Sequence, residues 1–280
     1  MSDKESGGVS AKHPDLTEGT KSDKGEDPVP EVVLPNDFSQ CPRTDLVILI
    51  SRMLSFLIRI NDSIPKDNSS ELTRFHSRVP PQISVYDYLM RLTRYSSLEP
   101  AVLIASVYYI DLLSAMYTAF SLNSLTVHRF LLTATTVGSK GLCDSFCTNS
   151  HYSKVGGVQC SELHVLETEF LKRVNYRILP RDDNILNCKA ERREGLFVTA
   201  AYAKEHRGPN NGFNVLDTYY RKIIEIVGSY DSSPDKTKRA HYTMKAMPTT
   251  PEAESTKKKR VHEESETVGG QASSSYKKPA

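Results

Sequence analysis

The chain has 280 residues, with 36 Lys and Arg against 34 Asp and Glu, a formal net charge of +2, and no Trp. This near balance, with no basic stripe interleaved with aromatics in the middle of the chain, argues against a nucleic-acid partner for the folded part. Five Cys with no signal peptide ahead of them fit free thiols in a reducing compartment, so an intracellular protein of the cytoplasm, the nucleus or both is expected.

Residues 1–37 are mostly Ser, Gly, Lys, Glu, Asp and Pro with few aliphatics, and residues 231–280 are similar. Neither stretch can bury enough apolar surface to offset the entropy of ordering, so both are expected to be disordered tails. Between them, residues 38–80 read as an N-terminal helix and a linker. Leu46, Ile50, Met53, Leu57 and Ile60 recur at three- and four-residue steps, one face of a helix over 44–60. The apolar stretch Leu46–Ile60 has only 15 residues and contains Arg52 and Arg59, too short and too charged to span a membrane. Asn61 to Pro81 breaks the pattern with Pro65, Asn68-Ser69-Ser70 and Pro80-Pro81.

A helix is expected over 84–94. The next starts at Pro100, which suits the first helical position because its missing N–H costs nothing there. Its two apolar stripes, one through Leu103, Val107 and Ile110 and one through Ala105, Tyr108 and Leu112, imply burial on more than one side. Over 124–142, with Ser124 as cap, the second half is small: Ala134, Thr135, Thr136, Gly138 and Ser139. Small residues permit close approach, so this helix is expected at the centre. After a short helical turn, Gly156-Gly157 supplies a sharp turn and a helix stop. Ser161 would cap a helix over 161–177, whose core face is Leu163, Leu166, Phe170 and Val174. Residues 181–230 form a C-terminal extension with one amphipathic helix over 215–227. No alternating strand and no repeat stands out, so the class reads as all-α.

Chemistry-bearing patterns are few. The chain has no Gly-rich phosphate loop, no HExxH and no nucleophile elbow, so it reads as a non-enzyme with no catalytic residues, cofactor, metal or small-molecule substrate. Cys143, Cys147, His151, Cys160 and His164 are soft ligands without a tight C-x2-C knuckle; a zinc-containing structural or adaptor protein is the rival reading they permit. Asp111, on a buried helix, is expected to satisfy an internal partner such as Arg91 or Arg94. Ser233, in Ser233-Pro234-Asp235-Lys236, fits the preference of cyclin-dependent kinases and is the candidate phosphorylation site. Lys257-Lys258-Lys259-Arg260 reads as an import signal or a solvated charge run.

Several of these stretches together resemble the Pho80-like (P- or U-type) cyclins. The likeness covers roughly residues 81–180. Tyr88, Leu89, Arg91, Leu92, Arg94 and Tyr95 resemble the first helix of the cyclin box, and Tyr108-Tyr109-Ile110-Asp111 its second. Ser139-Lys140 matches the end of the third, Asn149, Tyr152 and Lys154-Val155-Gly156-Gly157 the fourth segment, and Leu166-Glu167 with Phe170-Leu171 the fifth. The fold implied is a single five-helix cyclin box with an N-terminal helix and disordered tails. The implied role is a regulatory subunit that binds and activates a cyclin-dependent protein kinase in cell-cycle control. In that role Lys140 and Glu167 hold the kinase, flanked by Leu142, Phe170 and Leu171; Asp111, Tyr152, Gly156 and Gly157 are structural. From spacing alone, an ordinary internal ion pair between Lys140 and Glu167 stays open.

Two departures stand out. Many cyclins have an aromatic directly after the helix-end Lys, where this chain has Gly141. Met90-Arg91-Leu92 has the wrong spacing for the substrate-docking patch of cell-cycle cyclins. A DNA-binding transcription factor of cyclin fold is a further rival, opposed by the single box and balanced charge. The style of the chain suggests a kinetoplastid source.

Overall fold

Pro42 ends an extended entry, and the first long helix starts immediately after it, α1 over Arg43–Ser63. The computed structural model describes residues 29–65, 71–181, 184, 212–229 and 240–245. Further helices follow: α2 (Val85–Ser96), α3 (Pro100–Met116), α4 (Val127–Leu142), α5 (Asn149–Gly156), α6 (Cys160–Arg173) and α7 (Gly212–Val227). A 3-10 turn over Phe38–Gln40 precedes α1.

Local chemistry sets most of these ends. Ser84 caps α2 by accepting from the Asp87 N–H at 3.0 Å, and its own hydroxyl donates back to the Asp87 carboxylate. Pro100 occupies the first turn of α3. Thr148 caps α5, which stops at Gly157 with φ of 72°, as its Gly-Gly pair requires. In α6, Glu162 sits in the first turn and Lys172 and Arg173 in the last, each complementing the nearby helix end. Ser161 is inside α6, whose cap position is Gln159, and α4 starts after Thr126 instead of at Ser124.

Helices α3 and α4 share the centre. Thirteen of the seventeen residues of α3 are buried, and twelve of the sixteen in α4. The small residues of α4 allow this: a Cβ on Gly138 would stand only 3.2 Å from Val102 of α3. The segment expected as a plain linker also contributes, since Phe75 is fully buried edge-on to Phe120, with ring centroids 5.4 Å apart.

The expectation of an all-α, single five-helix box with disordered tails is corrected. Among the described residues there are seven helices and a two-stranded sheet. Strand β1 (Glu31–Leu34) pairs in parallel with β2 (His241–Met244), in the register Glu31 to His241 through Leu34 to Met244. Both strands fall inside the segments expected to be tails. The outer helices are integral as well: Leu46, Val47, Leu49 and Ile50 of α1 and Tyr219 and Tyr220 of α7 are all within 1% of complete burial, in one core with α3 and α4.

Arg52 explains why the ends hold together. It is 4% exposed and donates to Val227 O (3.4 Å), Gly228 O (3.2 Å) and Ala240 O (2.9 Å). Its guanidinium also lies 5.2 Å from the Tyr242 ring centroid. The end of α7 and the start of β2 are thus fastened to α1 by one cation.

Candidate functional site

Lys140 stands in the last turn of α4, where the unpaired carbonyl ends favour a cation. Its Nζ donates to Glu167 Oε1 of α6 at 2.5 Å. The other carboxylate oxygen, Oε2, accepts from Asn149 Nδ2 at 2.9 Å, and Asn149 opens α5. One carboxylate therefore gathers three helices. The Lys140 side chain keeps 30% of its exposure and that of Glu167 keeps 12%, so the ammonium reaches solvent at a rim while the carboxylate is mostly buried beneath it. Asn149 Oδ1 is buried there without a hydrogen-bond partner. An ammonium with three donors beside a carboxylate with further lone pairs can exchange part of this internal pairing for a backbone C=O and N–H of another chain. The Asn149 contact is not legible in the sequence beyond a short polar side chain in the first turn of a helix.

The apolar residues assigned beside this pair separate. Leu142 and Leu171 are half-buried at the rim. Phe170 is fully buried, with its ring 5.4 Å from Tyr109 and 6.5 Å from Phe130, and it has no surface to offer a partner. Its place on the core face with Leu163, Leu166 and Val174, all fully buried, decides its role.

The residues expected to be structural take defined places. Tyr152 is buried against the loop between α4 and α5, where its hydroxyl accepts from the Cys147 N–H at 3.3 Å; burial pushes its pKa up. Gly156 permits the approach of α5 to α4, since a Cβ there would stand 2.4 Å from Leu132; its carbonyl accepts from the Tyr88 hydroxyl at 3.0 Å. Asp111 is 3% exposed and accepts from the Tyr219 hydroxyl at 2.7 Å. Arg91 and Arg94, its expected partners, are exposed on α2. Tyr109 donates to Ile178 O at 2.8 Å, and Tyr108 accepts from Asn184 Nδ2 at 2.9 Å. The Tyr-Tyr-Ile-Asp run thus fastens the chain after α6 and the helix α7, a role that sequence reasoning missed because all three partners lie about 70 to 110 residues away.

Among the described residues, no three His, Cys, Asp or Glu come together as a metal-holding group. Cys143 and Cys147 lie half-buried near Tyr152, while Cys160 and His164 are exposed on α6. No described helix is long and apolar enough to cross a membrane. Ser233 and Lys257–Arg260 lie outside the described residues.

A family model for cyclins matches residues 44–178, a span that opens with α1 and runs to Ile178. A Saccharomyces cerevisiae protein named Pho85 cyclin Pho80 is 53% identical over 241 residues, 81% of this chain and 81% of its own length. The chain belongs to the Pho80-like cyclins. Nuc-1 negative regulatory protein preg of Neurospora crassa is 51% identical over 153 residues, which cover 54% of this chain and 32% of that protein. Cyclin-U1-1 of Arabidopsis thaliana is 30% identical over 157 residues, 55% of this chain and 75% of its own. As a cyclin, the chain is a regulatory subunit with no catalysis of its own.

Proposed function

We propose that this cyclin binds and activates a cyclin-dependent kinase of the Pho85 type, and that Lys140 and Glu167 hold it. The observation that carries this reading is the preassembled, partly exposed pair at the rim of α4 and α6, with Asn149 fixing the second carboxylate oxygen. Once the kinase docks, the ammonium takes a backbone carbonyl and the carboxylate a backbone N–H beside the kinase helix that bears its ATP-orienting Glu. Holding that helix inward completes the Lys–Glu ion pair of the kinase active site. The Pho85 assignment is supported by the name of the yeast relative. Cell-cycle control is the process expected from the sequence. The name of the Neurospora relative, a negative regulatory protein, favours control of another regulator as the output. A kinetoplastid source gains no support from the fungal and plant relatives.

The test uses the full chain with recombinant Pho85 of Saccharomyces cerevisiae, scored by pull-down, kinase activity and circular dichroism. Truncating one side of a buried charged contact costs about 2–5 kcal/mol of binding, roughly 30- to several-thousand-fold. Lys140→Ala and Glu167→Ala should each keep full helicity and bind that much more weakly, and together they should abolish activation. Lys222→Ala on α7, a half-buried cation paired with the exposed Glu225, serves as the control. Unchanged binding in both single variants would reject the site. No binding by the unsubstituted chain would reject the kinase type.

A further inference from the structure

We infer that α2 and α5 together present a basic docking surface for an acidic peptide segment of a partner protein, built from Arg91, Arg94, His151 and Lys154 around the exposed ring of Tyr95. The surface stands on a different pair of helices from Lys140 and Glu167 and does not rest on the kinase reading.

Two hydrogen bonds lay these helices side by side. The Tyr88 hydroxyl donates to Gly156 O at 3.0 Å, and His151 Nε2 donates to Tyr95 O at 2.7 Å. Tyr88 is near the start of α2 and Gly156 closes α5, while Tyr95 is near the end of α2 and His151 near the start of α5, so the two helices run antiparallel. Arg91, between Tyr88 and Tyr95, comes level with Lys154, between His151 and Gly156. Steps of three and four link Tyr88, Arg91 and Tyr95 along one side of α2, and His151 and Lys154 share one side of α5. Arg94 follows Arg91 by three residues and widens the surface. Arg91, Arg94, His151 and Lys154 are all exposed, and Tyr95 is 62% exposed.

The charge on this surface is uncompensated. Among the described residues, no ion pair holds Arg91, Arg94 or Lys154, whereas Arg43, Arg129, Arg173, Arg221 and Lys222 each have a carboxylate partner. Helix α5 carries no acidic residue, and the acid of α2, Asp87, lies one turn before Arg91 with its carboxylate accepting from the Ser84 hydroxyl. Glu99, just past α2, is taken by Arg43. Cations at helix ends are ordinary, and Arg94 and Lys154 each lie in a last turn. That does not account for Arg91 in mid-helix, or for a large aromatic ring left in solvent among the charges. A guanidinium offers a carboxylate forked hydrogen bonds, and the Tyr95 ring offers an apolar step to a side chain between two acids. The complement is an extended peptide with carboxylates on both sides of an aliphatic residue. The whole chain, at a net charge of +2, has no general basic field to draw polyanions without discrimination.

The test uses the full chain without a kinase and a fluorescein-labelled peptide, Glu-Glu-Asp-Leu-Glu-Glu-Asp, with binding read by fluorescence anisotropy. Binding should saturate, and should weaken about tenfold or more between about 50 and 300 mM salt. Arg91→Glu with Lys154→Glu should weaken it about thirtyfold or more, and Tyr95→Ala about threefold. Lys172→Glu with Arg177→Glu makes the same change of net charge at the end of α6 and should stay within about twofold of the unsubstituted chain. The reversed positions are exposed, so the unfolding midpoint in urea should be unchanged. Recombinant Saccharomyces cerevisiae Pho85 should bind the Arg91→Glu, Lys154→Glu variant as it binds the unsubstituted chain. Absence of saturable peptide binding, binding that survives the reversal, or an equal fall in the α6 pair would overturn the proposal. A fall in Pho85 binding on reversal would give the surface to the kinase and overturn it as well. So would a single-stranded oligonucleotide of equal charge that binds more tightly than the peptide and is lost on the same reversal.

Discussion

Arg52 and Lys140 are both helix-borne cations attached to one hydrophobic core, and they are used in opposite ways. Arg52 is 4% exposed and spent on three backbone carbonyls from two other segments. Lys140 keeps 30% of its side-chain exposure and is paired with a carboxylate that Asn149 also holds. Guanidinium suits the first task because its planar fork reaches several fixed acceptors at once. A flexible ammonium suits the second, because it can leave one oxygen for another at small cost. The contrast separates polar groups sealed inside the core from polar groups at its rim that a partner can reach.

The largest expected effect tests the sealed side. Arg52→Ala removes a charge-assisted set of bonds and leaves buried carbonyls without a donor, so urea denaturation should show a loss of about 3 kcal/mol. Removing residues 240–280 takes away Ala240 O and the buried Tyr242 and should cost a comparable amount. Because both changes act on one contact, their sum should exceed the cost of the double change. An Arg52→Ala loss under about 1 kcal/mol would mean that water replaces the guanidinium, and the sealed description would fail. Next is Tyr219→Phe, which takes the hydroxyl from Asp111 at a site 3% exposed; about 1–3 kcal/mol should be lost. By contrast, Lys140→Ala should cost less stability than Arg52→Ala, because Lys140 is the more exposed cation and Asn149 still satisfies Glu167, while on the proposed function it should weaken kinase binding. A stability loss as large as that of Arg52→Ala would move Lys140 to the sealed class.

The same division explains what could be read from the sequence. Helices announce themselves through local periodicity, and each long one appeared near its observed place because Leu, Ile, Val and Tyr recur on a face that must be buried. The sheet did not, because Glu-Val-Val-Leu at Glu31 and His-Tyr-Thr-Met at His241 are four residues each and pair in parallel across nearly the whole chain. Parallel pairing has no hairpin turn to mark it. In the segments expected to be tails, composition outweighed two short strands whose support comes from Arg52 and Tyr242, far away in sequence. At the site, Lys140 and Glu167 came from family likeness, since a charge pair 27 residues apart carries no local signature. Phe170 is placed on the core face by periodicity and beside the kinase by likeness, and its complete burial follows the periodicity.

The smallest expected effect concerns a third polar group, His128, near the start of α4. Its Nε2 lies 2.9 Å from Ile83 O, so that nitrogen carries the proton, and its buried Nδ1 has no hydrogen-bond partner. The ring stands edge-on to Tyr88 at 5.0 Å. Burial lowers its pKa from 6.5, with the Ile83 bond only partly opposing this. Unfolded His128 takes up a proton as pH falls through about 6.5, while the folded residue stays neutral until lower pH. The unfolded state then binds more protons, so stability is full above about pH 6.5 and falls as pH drops toward the folded pKa. His128→Gln keeps a donor for Ile83 O and cannot titrate. Between about pH 7.5 and 5.5 the unfolding midpoint of the unsubstituted chain should fall further than that of His128→Gln. Equal falls would show that Nδ1 gains a proton without unfolding, which would place His128 with the rim groups and not among the sealed ones.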